Sequence, residues 1–351
     1  MIKQTRIIRN TDSSRYFWTS AHAVAALWEI TQKIARAVTR PVTRPVTRPV
    51  TTALLVIALT GCVTTPPDPP SANDLPPVAT QPLPPAVVKR PPKIGLALGG
   101  GAARGFAHVG VIQVLEEAGF RPSLVVGTSA GSLVAAIYAS GKTGAQLQQV
   151  AETMEEVVIA DWTLPIFSRG VLRGEALARY VNKVVDGRLI ETFPMPLGVV
   201  ATDLNSGQAV LFQRGDTGTA VRASSAVPSV FQPVKIAGRE YVDGGLVAPV
   251  PVRFARQMGA ELVIAVDISS APENNPAGDT LQILLQTFAI MGKTINSFEL
   301  PGADLVVRPA FIGLSSADFA TRRRAIEAGR QAMLQQLPQL RDKMAQWVPS
   351  R

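Results

Sequence analysis

Residues 94–117 read IGLALGGGAARGFAHVGVIQVLEE. The first five residues are apolar and predict a buried strand over Ile94–Leu98, and the glycines that follow predict a turn over 99–101. Apolar residues then recur at helical spacing, which predicts a helix over 106–117 that ends before Gly119. A strand that passes through a glycine-rich turn into a helix is the opening unit of an α/β fold.

The same alternation of strand and helix continues along the chain. Further strands are predicted over 124–126, 197–203, 209–212, 240–242 and 262–267. Further helices are predicted over 129–140, 143–158, 174–185, 215–225, 280–298 and 318–336. We therefore expect residues 93–351 to form one α/β domain, a three-layer α/β/α arrangement with a mainly parallel central sheet.

The positive charge of the chain is concentrated at its N-terminus. The 351 residues carry a formal net charge of +9, and residues 1–62 alone hold nine Lys and Arg against two Asp and Glu. The remainder is nearly neutral, which argues against a nucleic-acid-binding face. One Cys and two His exclude an internal disulfide, a multi-Cys zinc site and a His cluster, so we expect no metal and no cofactor.

The N-terminal segment has the order of a secretory signal. A basic region is followed by a short apolar run over 53–59 and by Leu59-Thr-Gly-Cys62. The apolar run is too short to span about 30 Å of hydrocarbon. Leu-Thr-Gly-Cys resembles the lipobox of bacterial lipoproteins, which implies a signal peptide over 1–61 and a lipidated Cys62; the alternative is a chance Cys after an apolar patch.

Two further features of this segment bear on its interpretation. Val-Thr-Arg-Pro occurs three times up to Pro49, which makes the basic region unusually long, so translation beginning near residue 40 is one hypothesis and a basic cytoplasmic tail the other. Residues 63–92 contain eleven prolines and predict an extended spacer between anchor and domain, with a proline-rich partner ligand as the alternative. The lipoprotein resemblance, with Val63 after the Cys, implies an outer-membrane anchor facing the periplasm.

A nucleophile candidate lies between the second predicted strand and its helix. Gly127-Thr-Ser-Ala-Gly131 matches the G-x-S-x-G pattern of a nucleophile elbow, which requires this strand–turn–helix context. Gly127 and Gly131 let the flanking backbones approach each other, and Ser129 would project from a helix N-terminus that favours developing negative charge. The alternative is that Ser129 is only the helix N-cap.

The histidines cannot complete a hydrolase triad. In α/β-hydrolases the order is Ser, acid, His, and here no His follows His108, which we assign to packing inside the first helix. A partly desolvated carboxylate can serve as the base instead. Asp243 is favoured because Gly244 and Gly245 leave its backbone room; a plain turn Asp is the alternative.

Two more acids compete with Asp243 for this role on position alone. Asp203 and Asp267 each end a predicted strand.

The glycine-rich turn is suited to holding negative charge. Successive backbone N–H groups over 99–105 and the following helix could bind a phosphate or form an oxyanion hole. The G-x-G-x-x-G spacing of dinucleotide folds fails here, and a P-loop would need a Lys-Ser/Thr pair. Beside Ser129, the oxyanion hole is favoured.

Taken together, these motifs resemble the patatin-like phospholipase family, in its bacterial branch related to neuropathy target esterase. The matching pieces are Leu96–Val111, Gly127–Gly131, Gly170–Gly174, Ala201–Leu204, Arg222–Pro228 and Asp243–Gly245. The resemblance implies a Ser–Asp dyad, with Ser129 as nucleophile and Asp243 as base. It also implies an oxyanion hole from the N–H groups around Gly100, Gly101 and Ala102, where the family has a third Gly at position 102.

The resemblance implies a function as well as a fold. It implies a serine esterase or phospholipase, of phospholipase A or lysophospholipase type, that hydrolyses membrane lipid or acyl-ester substrates. Arg104, followed by Gly105, would orient the glycine loop or meet a phosphate head group. The alternative is a lipid-binding or signalling lipoprotein that keeps the fold without turnover.

Overall fold

The computed structural model describes residues 90–154, 170–270, 272, 278, 280–311 and 321–348. The predictions for the signal peptide, for Cys62 and for the spacer up to residue 89 lie outside these residues. So do the last residues of the helix predicted over 143–158 and the first of the helix predicted over 318–336. Among the residues described, no helix is both long enough and apolar enough to cross a bilayer.

A mixed sheet forms the centre of the domain. Its strands follow the order β10-β9-β1-β2-β4-β8-β7, with β5 paired to β4. β10, β9, β1, β2 and β4 are mutually parallel, whereas β5 and β8 run antiparallel to β4. The strands are β1 (Ile94–Leu98), β2 (Leu124–Thr128), β3 (Gly170–Leu172), β4 (Leu197–Asp203), β5 (Ala209–Phe212), β6 (Ser229–Phe231), β7 (Val234–Ile236), β8 (Arg239–Asp243), β9 (Leu262–Val266) and β10 (Leu305–Val307). β3 and β6 form a separate parallel pair.

Helices cover both faces of this sheet. They are α1 (Ala107–Glu117), α2 (Ala130–Ala139), α3 (Gly144–Thr153), α4 (Glu175–Val184), α5 (Thr217–Ser224), α6 (Val252–Gln257), α7 (Thr280–Glu299) and α8 (Arg322–Gln346). Leu96 and Leu98 of β1 belong to the core under α1, α2 and α8, while Ala97 belongs to the core under α6. Because side chains alternate across a strand, the buried sheet separates two helical layers, which confirms the predicted α/β/α architecture.

The last helix differs from its prediction. We predicted its end at residue 336, but α8 continues through Pro338 to Gln346. Leu337 and Leu340 are buried, and this packing outweighs the local preference of proline for a helix end. α8 crosses α1 closely, since a Cβ on Gly329 would lie 1.9 Å from the carbonyl oxygen of Ala107.

One edge of β4 brings two strand ends together. β2 pairs with residues 197–200 of β4, and its last residue, Thr128, stands opposite Val200. β8 then takes over the pairing, and its last residue, Asp243, stands opposite Ala201. β5 occupies the other edge. The chain that leaves β2 therefore emerges beside the end of β8.

Candidate active site

Ser129 occupies a strained turn between β2 and α2. Its backbone has φ 52° and ψ −124°, a left-handed value that non-glycine residues seldom adopt. Although Ser129 is the N-cap residue of α2, its side chain accepts no capping hydrogen bond from the described part of the helix. The hydroxyl therefore does not cap the helix, which was the alternative that the sequence left open. The strained backbone of Ser129 is typical of functional turns.

Glycines make the turn possible. A Cβ at Gly127 would lie 2.4 Å from the carbonyl oxygen of Gly131, and a Cβ at Gly131 would lie 2.2 Å from that of Leu98. Gly105 and Gly244 are also confined: a Cβ at Gly105 would lie 2.8 Å from the Cβ of Ala130, and a Cβ at Gly244 would lie 2.2 Å from the carbonyl oxygen of Val200. Any side chain at these positions would force apart the backbones that hold Ser129.

A hydroxyl that sequence reasoning did not single out supports the turn. The backbone N–H of Ser129 donates to the Oγ of Ser224 at 2.8 Å, and this Oγ donates to the carbonyl of Val200 at 2.5 Å. Ser224 is fully buried at the end of α5. It therefore ties the elbow to β4. The only signal was its place inside the Arg222–Pro228 motif.

Asp243 is the carboxylate that meets the Ser129 side chain. The Ser129 hydroxyl hydrogen-bonds to it, and the N–H of Gly245 donates to its Oδ1 at 2.6 Å. Only 6% of the residue is exposed. Burial raises the pKa of Asp243 to about 6, while the bonds from Ser129 and Gly245 oppose that rise. A carboxylate with a raised pKa is a better proton acceptor than an ordinary Asp.

The two rival acids are engaged elsewhere. Asp203 accepts the N–H groups of Asn205 and Ser206 and pairs with Arg239 at 3.2 Å. These contacts, the Ser206 backbone bond first among them, lower the pKa of Asp203.

Asp267 accepts bonds from both the backbone and the hydroxyl of Ser269, and it pairs with Arg308 at 3.3 Å. The structure therefore brings Asp243, and neither rival, to Ser129.

The glycine loop, residues 99–105, lies against the same turn, because a Cβ at Gly100 would lie 3.2 Å from the Cβ of Ser129. The N–H of Gly100 donates to the carbonyl of Pro249 at 2.9 Å, so this expected oxyanion donor is already engaged. The N–H groups of Gly101 and Ala102 bond to none of the described residues. Ala102 has φ 50° and is exposed, so the candidate site holds a left-handed residue in the loop as well as Ser129 in the elbow.

Arg104 and His108 are buried side chains that lie next to this loop. Arg104 is buried, donates to the Oγ of Ser270 at 2.5 Å, and lies 5.2 Å from the ring of Phe311. Burial lowers the pKa of Arg104, whose Nε has no partner among the residues described.

His108 is completely buried, as its packing assignment predicted. Its Nε2 lies 2.8 Å from the carbonyl oxygen of Gly99 and must carry the proton of that bond. Burial lowers the pKa of His108 to about 4, so the ring is neutral and anchors the start of the loop.

Comparison with known proteins shows similarity to one family in the region that contains this site. Residues 96–256 match the model of the patatin-like phospholipase family. Over these 161 of its 351 residues, the chain is similar to the patatin-like phospholipase family. Within the described ranges no group of three His, Cys, Asp or Glu side chains could hold a metal ion.

Relatives of the patatin-like domain occur in bacteria and in animals. An uncharacterized NTE-family protein of Mycobacterium tuberculosis is 37% identical over 188 residues, which are 54% of this chain and 52% of that protein. Human patatin-like phospholipase domain-containing protein 6 is 35% identical over 198 residues, 54% of this chain and 14% of that protein. The chain thus spans about half the length of its mycobacterial relatives.

Solved structures similar to the patatin-like domain include two bacterial proteins. VipD of Legionella pneumophila aligns with a TM-score of 0.49 and 15% identity, covering 71% of this chain and 67% of that one. The type III effector ExoU aligns with a TM-score of 0.42 and 16% identity, covering 71% and 53%.

Proposed function

We propose that this protein is a serine hydrolase that cleaves carboxylic esters of lipids. The observation that carries the proposal is the hydrogen bond from the Ser129 hydroxyl, on a strained elbow, to the buried carboxylate of Asp243. The patatin-like domain match supports lipid esters as the substrate class. Phospholipids and lysophospholipids are the substrates we would test first.

In the proposed acylation step, Asp243 removes the proton of the Ser129 hydroxyl as Oγ attacks the ester carbonyl carbon. The C–O π electrons move to the carbonyl oxygen and form a tetrahedral oxyanion. The N–H groups of Gly101 and Ala102 are the donors best placed in the loop to stabilise this charge, since Gly100 is engaged by Pro249. When the oxyanion collapses, the alkoxide leaves and takes its proton from Asp243.

Deacylation repeats the sequence with water. Asp243 accepts a proton from the water that attacks the acyl-Ser129 carbonyl, and the tetrahedral intermediate collapses with the proton returned to Oγ of Ser129. A fatty acid is released and the dyad is restored. A lone carboxylate is a modest base, so the preorganised loop N–H groups should supply much of the rate enhancement.

The N-terminal sequence suggests where this reaction would take place. We propose that Cys62 carries the lipid anchor and that the proline-rich spacer holds the domain at the outer membrane, facing the periplasm. The Leu59–Cys62 motif after a basic and an apolar segment supports this location. Two or more acyl chains on one residue give stable membrane attachment.

The proposal is tested by turnover on a panel of phospholipids, lysophospholipids and simple acyl esters. The full chain should release fatty acid without added metal, and Ser129→Ala should abolish release while the protein stays folded. Ser225→Ala is the matched control, because Ser225 is half-buried and lies next to Ala226, whose carbonyl accepts the N–H of Asp243, but it is no part of the dyad. Lipid binding without release would instead indicate a non-catalytic lipid-binding protein, and unchanged release by Ser129→Ala would refute the dyad.

A further inference from the structure

Helix α7 buries two polar side chains and exposes several large apolar ones. Its inward positions Asn296 and Glu299 are 4% and 7% exposed. Asn296 accepts the N–H of Val250 at 3.2 Å, and Glu299 pairs with Arg253. Its exposed positions include the large apolar residues Ile283, Ile290 and Phe298, although Lys293 is exposed as well. A surface helix normally buries its apolar residues and exposes its polar ones, so this helix needs a separate explanation.

The outward face of α7 combines large apolar side chains with hydroxyl side chains, and the exposed Lys293 flanks it. Residues 283, 287, 290, 294 and 298 repeat at helical spacing and share one side of the helix. Phe298 is 81% exposed, Ile283 55%, Ile290 52% and Met291 43%. The remaining members of this face, Thr287, Thr294 and Ser297, are uncharged. We call these seven residues the α7 face.

The hydroxyls of the α7 face need no water. Thr287 donates to the carbonyl of Ile283 at 2.9 Å, and Thr294 donates to that of Ile290 at 3.3 Å. Ser297 donates to the carbonyl of Thr294 at 2.6 Å. Each polar hydrogen on this face is thus satisfied within the helix, which is the condition for placing polar side chains in an apolar environment.

The α7 face is linked to the candidate active site through a cleft. Asn296 and Ser297 line a cleft of about 600 Å³ together with Ser270. Ser270 accepts the hydrogen bond of Arg104, which belongs to the glycine loop. On its inner side, Gly292 of α7 lies against Pro249, whose carbonyl holds Gly100. Neither Ser129 nor Asp243 lines the cleft, so it adjoins the dyad through the loop.

We propose that the α7 face docks on the surface of a lipid bilayer, with Phe298, Ile290, Met291 and Ile283 entering the boundary between head groups and acyl chains. This surface rests on the proposed function, because an enzyme acting on lipid esters must reach substrate held in a membrane. A helix with an apolar face can lie in the plane of the interface between lipid head groups and acyl chains.

The chain outside the described residues favours a bilayer over a second copy of the protein. The 27 residues between Cys62 and Arg90 would reach about 85 Å in the polyproline II conformation that their prolines favour. A domain of about 260 residues is about 45–50 Å across. A lipidated Cys62 would therefore leave the domain free to turn the α7 face toward the membrane that holds the anchor.

The test places a fluorescent reporter on the α7 face. Cys62 is the only cysteine, so full-length Cys62→Ser carrying Phe298→Cys can be labelled at that one position with nitrobenzoxadiazole. A second labelled variant carries Ile290→Cys. The matched control carries Leu334→Cys, because Leu334 is a 43% exposed leucine on α8. Each is mixed with vesicles of phosphatidylcholine and phosphatidylglycerol, with and without nitroxide-labelled lipid.

Docking predicts a blue-shifted emission at 298 and 290 on vesicle addition, quenched by the lipid-borne nitroxide, with neither effect at 334. No shift at 298 and 290, or an equal shift at 334, would overturn the proposal. A blue shift that grows with protein concentration before vesicles are added would also overturn it and would indicate a second copy on this face.

The readout needs no turnover, so docking and catalysis are judged separately. The Ser129→Ala protein should give the same fluorescence response as its parent. A chain that hydrolyses no ester can still confirm docking, and an active chain can still refute it.

Discussion

Thr128 and Asp243 stand opposite consecutive residues of β4, Val200 and Ala201, so the ends of β2 and β8 meet along one strand edge. The residue after Thr128 is Ser129, and its hydroxyl bonds to the Asp243 carboxylate. The two side chains are 114 positions apart in sequence. The strand register thus fixes the pairing of these two side chains, as the proposed Ser–Asp dyad requires.

The raised pKa of Asp243 predicts an unusual stability profile. A carboxyl whose pKa rises from 3.8 to about 6 on folding stabilises the native state below pH 3.8, and this contribution is lost as pH rises through 6. Asp243→Asn removes the titration. The unfolding free energy of the variant minus that of its parent should therefore rise by about 2–3 kcal/mol as the pH increases from 4 to 7.

Denaturant unfolding at a series of pH values measures this difference directly. His108, whose pKa is lowered to about 4, titrates in both proteins and cancels from the comparison. Asp203→Asn is the control: because the pKa of Asp203 is lowered from 3.8, its titration lies below this range, and the difference from the parent should stay nearly constant between pH 4 and pH 7. A constant difference between Asp243→Asn and its parent across this range would contradict the burial of an ionisable carboxylate.

Ser224 is expected to be a positioning residue for the elbow. Ser224→Ala leaves the Ser129 N–H without its acceptor, and an unsatisfied buried donor costs about 1–3 kcal/mol. We expect a loss of stability in that range and a fall in kcat, with KM for a small soluble ester largely retained. Ser225→Ala, at the neighbouring half-buried position, should show neither effect. A loss of stability with kcat unchanged would restrict Ser224 to a structural role.

Ala102 is predicted to be a strained position in the glycine loop. A left-handed conformation is costly for a residue with a Cβ and is readily adopted by glycine. Ala102→Gly should therefore raise the unfolding free energy by about 0.5–1 kcal/mol, a gain partly reduced by the greater chain entropy of glycine. Thermal and denaturant unfolding would measure it.

Ala103→Gly provides the matched control for this substitution. Ala103 lies in the 3-10 turn over Ala102–Phe106 and has no positive φ. There the loss of Cβ should destabilise the protein. Equal effects at 102 and 103 would show that Ala102 is not held in the left-handed region.

The local patterns in the sequence predicted the frame of the site. Apolar runs predicted β1 and β9. The elbow and the glycine loop were predicted at the ends of β2 and β1, because their motifs are short stretches of neighbouring residues. The sequence favoured Asp243 as the base through Gly244 and Gly245 and through the family resemblance, although Asp203 and Asp267 also end strands. The registers of β2 and β8 on β4 explain why Asp243 meets Ser129 in the fold.

Other features depended on tertiary packing that a sequence does not display. The three-residue strands β3, β6, β7 and β10 and the short helix α6 were not predicted, because elements of this length carry little periodicity. The bond between Gly100 and Pro249 joins residues almost 150 positions apart. The apolar α7 face also went unrecognised, because periodicity shows that a helix is amphipathic and not which side packs inward.

Fluorophosphonate labelling followed by peptide mass spectrometry asks whether Ser129 is a nucleophile deprotonated by Asp243. We expect a single phosphonyl adduct on Ser129, formed at a rate that rises with pH through about 6, and little labelling of Asp243→Asn under the same conditions. No adduct on the folded protein, an adduct on another serine, or equal labelling of Asp243→Asn would contradict the account.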